Sequence, residues 1–466
     1  MNRTVVINVV GLTDSLIGEH TPRIAQFAEA GSRARIAPAF PAVTCTAQSD
    51  YLTGKTATDH GIVANGWYSR ELAETHFWKQ PDQIVQAPKI WDALKRENSD
   101  FTCAKLFWWH NMYSKVDWSI TPRPMYPADG SKHFDIYSWP YSIREEIKRD
   151  LGKFPFAGFW GPAAGVDSPQ GKADCVSQWI ANSAKWIEER HQPTLSLVYL
   201  PHLDYNLQRL GPKNPAISRD LGEIDAIVSN LIDFFGKRSV NVVLLSEYGI
   251  TPVDTPIHLN RIFRDKGWLS VKEELGRELL DFGACKAFAV ADHQIAHVYV
   301  NDPLVEENVR ALLEDTPGID RILGPEEKRA AGIDHERAGD LIAVSKENAW
   351  FTYYYWQDDK RAPDFARCVD IHRKPGYDPV ELFLDPKRPL VKGQIAWRLM
   401  KKKIGMRMLM DVIPLDATLV KGSHGAHPAN AEDYPVIIAQ DKKLLSGAEL
   451  RSQDVFGILK RAVSPS

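Results

Sequence analysis

Residues 40–66, FPAVTCTAQSDYLTGKTATDHGIVANG, decide how this chain is read. Pro41 closes a buried strand, a run of small polar residues follows, and a helix continues to Gly54. Thr44 or Thr46 therefore stands at a helix N-terminus, where unpaired backbone N–H groups and the helix dipole favour an anion. Two readings are open: a threonine that caps the helix with its hydroxyl, or one that holds its hydroxyl against a phosphate or a developing oxyanion.

Working outward, residues 5–10 form an apolar run of strand length ended by Gly11, followed by a helical pattern over 22–30 and a second strand over 32–38. The alternation recurs. A helix over 171–192 precedes an apolar strand at 194–200, and a helix over 218–237 precedes another at 240–246. Strands that are apolar throughout, separated by amphipathic helices, predict an α/β fold with a mostly parallel central sheet and helices on both faces. The site of such a sheet lies at the carboxyl ends of its strands.

Composition narrows the function classes. Of 466 residues, 44% are hydrophobic and 25% charged, as in a globular protein with a large core. Lys plus Arg number 57 against 60 Asp plus Glu, a net charge of −3, which offers no overall basic field for a nucleic-acid polymer. The run Lys401-Lys402-Lys403, with Arg398 and Arg407 nearby, reads as a solvated helix face. The five cysteines are scattered without CxxC spacing, which argues against a disulfide framework and a thiolate zinc site. The strand-like VVINVV follows Met1 closely, and no uncharged run is long enough for a membrane span; the expectation is a cytoplasmic protein.

Residues 40–66 resemble the nucleophile region of the nucleotide pyrophosphatase/phosphodiesterase family, within the alkaline phosphatase superfamily, where a Thr precedes a helix closing in Thr-Gly. Counting back ten positions from Gly54 lands on Thr44, and Thr46 is off register. His60 to Val63 continue the likeness, and Asn65 falls where the family places an amide donor to a non-bridging phosphate oxygen. The same stretch is similar to phosphonoacetate hydrolases.

The resemblance implies an alkaline-phosphatase-like core over 1–466, with an aromatic-rich, cap-like insertion at 67–170 and a second insertion at 350–418. It also implies a phosphoester hydrolase in which two divalent ions, zinc or alternatively manganese or magnesium, activate a Thr nucleophile and the opposite oxygen of an in-line displacement. Carried over residue by residue, Thr44 and Asn65 are catalytic, and Asp204, Gln208, Glu247 and His424 occupy metal-ligand positions. Gln208 replaces a His, Glu247 an Asp, Tyr248 a His, and Val10 the Asp that ends the first strand.

Possible replacement ligands lie elsewhere. In KAFAVADHQIAHVYV, residues 286–300, a continuous strand points His293 and His297 to one side and Asp292 to the other, unless the chain turns at Asp292-His293. Asp370 and His372, two apart, share a face if their segment is a strand. A packed structural His, or a surface ion pair, is the alternative in each case. Arg209, Arg261 and Arg373 are candidates for further phosphate contacts or for ordinary ion pairs.

Where the family sandwiches a nucleotide base with an aromatic after the nucleophile, this chain has Cys45, so a small phosphorylated metabolite is expected over a nucleotide. Three functions compete: a phosphomonoester or phosphodiester hydrolase with a modified metal site, a non-hydrolytic binder of a phosphorylated ligand, and an enzyme of another reaction class on this scaffold.

Overall fold

A computed structural model describes residues 1–129, 131–165 and 175–465. The centre is a nine-stranded sheet in the spatial order Glu449–Arg451, Ser32–Ala37, Val436–Ala439, Asn241–Leu245, Thr4–Val9, Leu195–Leu200, Cys103–Leu106, Trp118–Met125, His133–Trp139. Five of its eight pairings are parallel. The three antiparallel ones lie toward the two edges. Every residue of Thr4–Val9 and of Leu195–Leu200 is buried, which is why both segments are apolar without alternation. Helices Pro22–Ala30, Val176–His191 and Ile217–Gly236 pack as one group, and Thr44–Thr53, Ile90–Glu97 and Asp454–Val463 as another.

The three parallel central strands Thr4–Val9, Leu195–Leu200 and Asn241–Leu245 end at one edge of the sheet. Val10, Asp204, Glu247 and Tyr248 follow from those ends, so residues far apart in sequence converge there. A second, antiparallel sheet of Ala287–Asp292, Ile295–Val300, Leu341–Ser345 and Ile319–Leu323 carries its own apolar core.

The stretch 67–170 is not only a cap. Cys103–Leu106, Trp118–Met125 and His133–Trp139 add three strands to the central sheet, and Trp91 and Trp108 are buried in the main core. The helix expected over 171–192 is observed as Val176–His191, with Cys175 extended before it; positions 171–174 of the expectation lie outside the described residues. Among the described residues no helix is long and apolar enough to cross a membrane.

Candidate active site

Helix Thr44–Thr53 is buried along its whole length although most of its residues are polar. Burial of that kind requires a partner for each polar group, and the partners are present. Thr46 donates to Ile62 O at 3.0 Å, Ser49 to Cys45 O at 2.7 Å, and Asp50 accepts from the His60 ring at 2.8 Å. Gly54, at φ 66°, ends the helix in the left-handed conformation that a side chain resists. The N-cap is Val43, and no side chain caps the helix, so neither Thr44 nor Thr46 serves as its cap. Thr44 is the first helical residue, and its Oγ1 lies 3.2 Å from the Tyr248 hydroxyl.

Tyr248 joins that threonine to the strand ends. Its hydroxyl donates to Asp204 Oδ1 at 3.1 Å, and Gln208 Nε2 donates to Asp204 Oδ2 at 2.8 Å. With the tyrosine proton on Asp204, the phenol oxygen is left to accept from Thr44. Gln208 Oε1 in turn accepts from Tyr377 at 3.0 Å. The Tyr248 ring stacks on His424, centroids 3.6 Å apart, while His424 Nδ1 donates to Ala42 O at 2.7 Å. Glu247 Oε1 accepts from both Asn8 and Gln48 at 2.5 Å.

This donor set does not fit a two-ion centre. Zinc needs three or four protein ligands at about 2 Å. Val10 offers none, the Gln208 carbonyl oxygen is taken by Tyr377, and both oxygens of Asp204 already accept hydrogen bonds. What remains is His424 Nε2, 4.0 Å from Asp204 Oδ1, with the unpartnered Glu247 Oε2 and His293 Nε2, too few donors for two ions. Among the described residues no group of three or more His, Cys, Asp or Glu is arranged to hold an ion.

The chain does turn at Asp292-His293, so the strand-face argument gives way. Asp292 pairs with Ile295 across a two-residue hairpin, and His293 takes φ 60° in it. His293 Nδ1 lies 2.7 Å from Asp292 Oδ1, its ring stacks on Tyr377 at 3.6 Å, and its buried Nε2 has no partner. Asn65 is held by the same carboxylate, its backbone N at 2.8 Å and Nδ2 at 3.2 Å, while its Oδ1 accepts from Cys45 N at 3.0 Å. His297 points elsewhere, to Val63 O at 3.1 Å and Gly339 N at 3.1 Å.

Asp370 and His372 lie in turns, not on a strand, which corrects the shared-face reading. The His372 ring meets Phe77 O at 3.1 Å, and Asp370 Oδ2 lies 3.9 Å from Arg373. The three arginines are engaged away from Thr44: Arg209 with Asn206 at 2.8 Å, Arg261 with Trp356 O at 2.7 Å, and Arg373 with Asp364 at 3.2 Å.

Thr44, Asp204, Tyr248, His293 and His424 face a cavity of about 50 Å³ walled by Trp78, Trp109, Trp160, Tyr205, Ile371 and Tyr377. No described Lys or Arg lines it. Burial pushes Asp204 up to about 7, Glu247 up to about 8 and Asp292 up to about 6, and drives His293 and His424 well below the usual range. Desolvation thus favours the uncharged form of each group, most strongly for the two histidines and Glu247, while Asp204 divides between its protonated and ionised forms near neutral pH. A larger groove of about 840 Å³ lies apart, but its charges neutralise one another, as in Arg388–Asp411 at 3.2 Å and Arg367–Asp385 at 3.6 Å. Volume alone does not nominate it.

Tyr377 enters the site from a loop pinned below it. Lys374 Nζ is buried between Asp378 and Glu381, 2.7 Å from each, and Glu381 also accepts from Trp160 at 2.5 Å. Sequence reading passed over Tyr377 and Tyr248 as site residues with positive roles; the i, i+4 spacing of Lys374 and Asp378 was the available signal.

The family model described as type I phosphodiesterase / nucleotide pyrophosphatase matches residues 4–378. The chain belongs to this family. A curated relative, the uncharacterized pyrophosphatase/phosphodiesterase C725.05c of Schizosaccharomyces pombe, is 23% identical over 259 residues, which is 53% of this chain and 44% of that protein. The chain thus matches less than half the length of that family member. Among solved structures, inactive murine ectonucleotide pyrophosphatase/phosphodiesterase 5 in complex with AMP aligns with a TM-score of 0.59 at 16% identity, covering 100% of this chain and 96% of the other. Phosphonoacetate hydrolase from Sinorhizobium meliloti 1021 in complex with phosphonoformate aligns with a TM-score of 0.62 at 14% identity, covering 99% and 96%. At these identities the structures establish the alkaline-phosphatase-like fold.

Proposed function

We propose that the cavity over Thr44 binds a small phosphorylated molecule and hydrolyses its phosphoester with Thr44 as nucleophile. The observation that carries this reading is the hydrogen-bonded chain from Thr44 through Tyr248 to Asp204, opening on the cavity. Membership of a phosphodiesterase family supports the reaction class. Because the donor set does not fit the family's two ions, the nucleophile is activated by this chain's own groups.

Thr44 passes its proton to the Tyr248 oxygen as Tyr248 passes its own to Asp204. The freed Thr44 oxygen forms a bond to phosphorus, and the bond from phosphorus to the leaving oxygen breaks. A water then adds to phosphorus as the bond from phosphorus to Thr44 Oγ1 breaks; the water's proton goes to the oxygen of the departed alcohol, and Asp204 returns a proton to the freed Thr44 oxygen through Tyr248. The Asp204 carboxyl in a mostly apolar lining, with no described lining cation, opposes a dianion, so a monoanionic diester is the better-matched substrate. The cavity holds little more than one water's share of liquid volume, about 30 Å³, so only the reacting group enters. The insertions at 67–170 and 350–418, which supply Trp78, Trp109, Trp160, Ile371 and Tyr377, select the rest.

The test is hydrolysis of p-nitrophenyl mono- and diesters in chelating buffer, with intact-mass analysis of acid-quenched protein. Turnover with a phosphoryl adduct on the Thr44 peptide, both lost in Thr44→Ala, is the expected result. Turnover that survives Thr44→Ala, or that appears only when zinc is added, sinks the proposal. A second reading, binding without hydrolysis, is favoured by one observation: the Asn65 amide is already held by Asp292. Calorimetric binding of a phosphodiester without turnover selects it.

A further inference from the structure

Residues 386–410 contain eight Lys or Arg and no Asp or Glu, in a chain whose net charge is −3. Within them, helix Val391–Lys403 buries no residue completely. Its inner side is fixed by Val391 and Ile395, which pack on the second core, and by Arg398, 2.5 Å from Asp411. Those three positions, spaced by four and three, define the face turned to the protein.

The opposite face is the unusual one. Trp397 and Met400, three apart, and Ile404, four further on, point to solvent at 54%, 49% and 67% exposure. Leu399 is also exposed, and Met406 and Leu409 continue the apolar surface beyond the helix. Lys392, Lys401 and Lys403 flank it, with Lys401 5.4 Å above the Trp397 ring. Four of the chain's seven methionines fall between residues 400 and 410, flexible apolar side chains suited to a fluid surface. At the helix end Lys402 Nζ reaches Lys132 O at 3.5 Å, and Lys132 lies over the exposed rings of Tyr126 and Phe134 at 5.6 and 5.3 Å.

We propose that this face is an in-plane docking surface for an anionic lipid bilayer. Lysines rimming an exposed tryptophan and long aliphatic chains match both layers of such a surface: cations meet the anionic headgroups, and the apolar side chains enter the acyl boundary. A second copy of the chain would set one row of lysines against another. A nucleic acid would leave Met400 and Ile404 without a counterpart. From Phe134 the surface continues inward, Phe134 stacking on Phe156 at 4.5 Å and Phe156 lying 6.4 Å from Phe159, a residue of the cavity wall. Docking by this face brings the cavity over Thr44 close to the headgroup layer.

The experiment is vesicle flotation of the whole protein at low and high salt, with phosphatidylcholine alone or mixed with phosphatidylserine. Two triple variants accompany it, Lys401→Glu/Lys402→Glu/Lys403→Glu and Trp397→Ser/Met400→Ser/Ile404→Ser, each checked for unchanged melting. Wild type is expected to float only with the anionic vesicles and less so at high salt, and each variant to lose more than about tenfold in partition coefficient. Absence of flotation with anionic vesicles at low salt overturns the proposal, as does full retention by both variants. A concentration-dependent dimer that the serine variant abolishes, in a protein that binds no vesicle, overturns it in favour of self-association. Flotation does not depend on turnover, so it fails or succeeds separately from the phosphoester assay.

Discussion

The cavity over Thr44 and the outer face of helix Val391–Lys403 invert the usual partition of side chains in opposite directions. One buries Asp204, Glu247, Asp292, His293 and His424, and the other exposes Trp397, Met400 and Ile404. Folding stability alone favours neither arrangement, because buried ionisable groups cost free energy and exposed apolar groups contribute none. Each is the kind of exception that marks a surface with work to do. The two differ in how tightly they are bound into the fold. The cavity groups sit in an almost closed network of hydrogen bonds, whereas the apolar side chains of the exposed helix face join no apolar cluster of the described residues. Substitutions should therefore have large effects in the first and almost none in the second.

The largest effect belongs to Tyr248→Phe. It removes one hydroxyl and leaves the ring stacked on His424, so the fold and KM are retained while kcat falls by about 10²–10⁴, the range of a lost general base. The relay needs Asp204 ionised to take the proton, so kcat of the wild type rises with pH through about 7, and the rise is absent in Tyr248→Phe. A flat wild-type profile, or equal losses in kcat and stability, would reduce Tyr248 to a packing residue.

Second is the ion group beneath the cavity. Lys374→Met leaves Asp378 and Glu381 buried without their cation, a change that typically costs about 3–5 kcal/mol. It should lower the urea midpoint and loosen Tyr377 and Trp160 along with it. Restoration by the double variant Lys374→Met/Glu381→Gln, which removes one orphaned charge, distinguishes an electrostatic cost from lost packing.

These two sites show what was legible in sequence. The parallel sheet was, because strands buried on both faces must be apolar at successive positions, as in VVINVV and LSLVYL. Thr44, Asp204 and Glu247 were reached through the family resemblance, whose pattern selects Thr44 over Thr46 by its distance from Gly54 and places the other two after strand ends. The turn at His293 was not, because hairpins of this kind favour Gly or Asn at a positive φ, and the surrounding residues alternate as one continuous strand would. Asp370 and His372 failed as a strand pair for a related reason: two-residue spacing carries a face only where a partner strand exists. The basic run at 401–403 was visible as charge, but whether its apolar neighbours face core or water depends on which side Val391 and Ile395 pack, and that is a tertiary fact.

Third is pH. Below about 6.5 the unfolded chain protonates histidines that the fold keeps neutral, including His293 and His424, held well below the usual range, and His202 and His297, at about 4. Stability therefore rises as pH increases toward 6.5. Above it the folded chain keeps protons on Asp204 and Glu247 that the unfolded chain has already released, and their contribution is lost as pH rises through about 7 and about 8. Urea midpoints should peak near pH 6.5 and fall by roughly 2 kcal/mol in stability by pH 8. Glu247→Gln, which keeps the acceptor for Asn8 and Gln48, should flatten the alkaline side. A midpoint that keeps rising to pH 8 would mean that these carboxyls are ionised in the fold and compensated by a cation.

The smallest effect sharpens the contrast most. Met400→Ser and Ile404→Ser remove apolar groups that are half to two-thirds exposed and belong to no apolar cluster of the described residues, so thermal stability should change by no more than about 0.5 kcal/mol. Val391→Ser and Ile395→Ser, on the same helix but turned toward the second core, give up buried area and should destabilise by measurably more. If the two pairs melt alike, the helix is not fixed on the face that the packing of Val391 and Ile395 defines, and the apolar side turned to solvent is no longer a designed surface. If they separate, the exposed residues are retained for something other than folding, as the buried carboxyls of the cavity are.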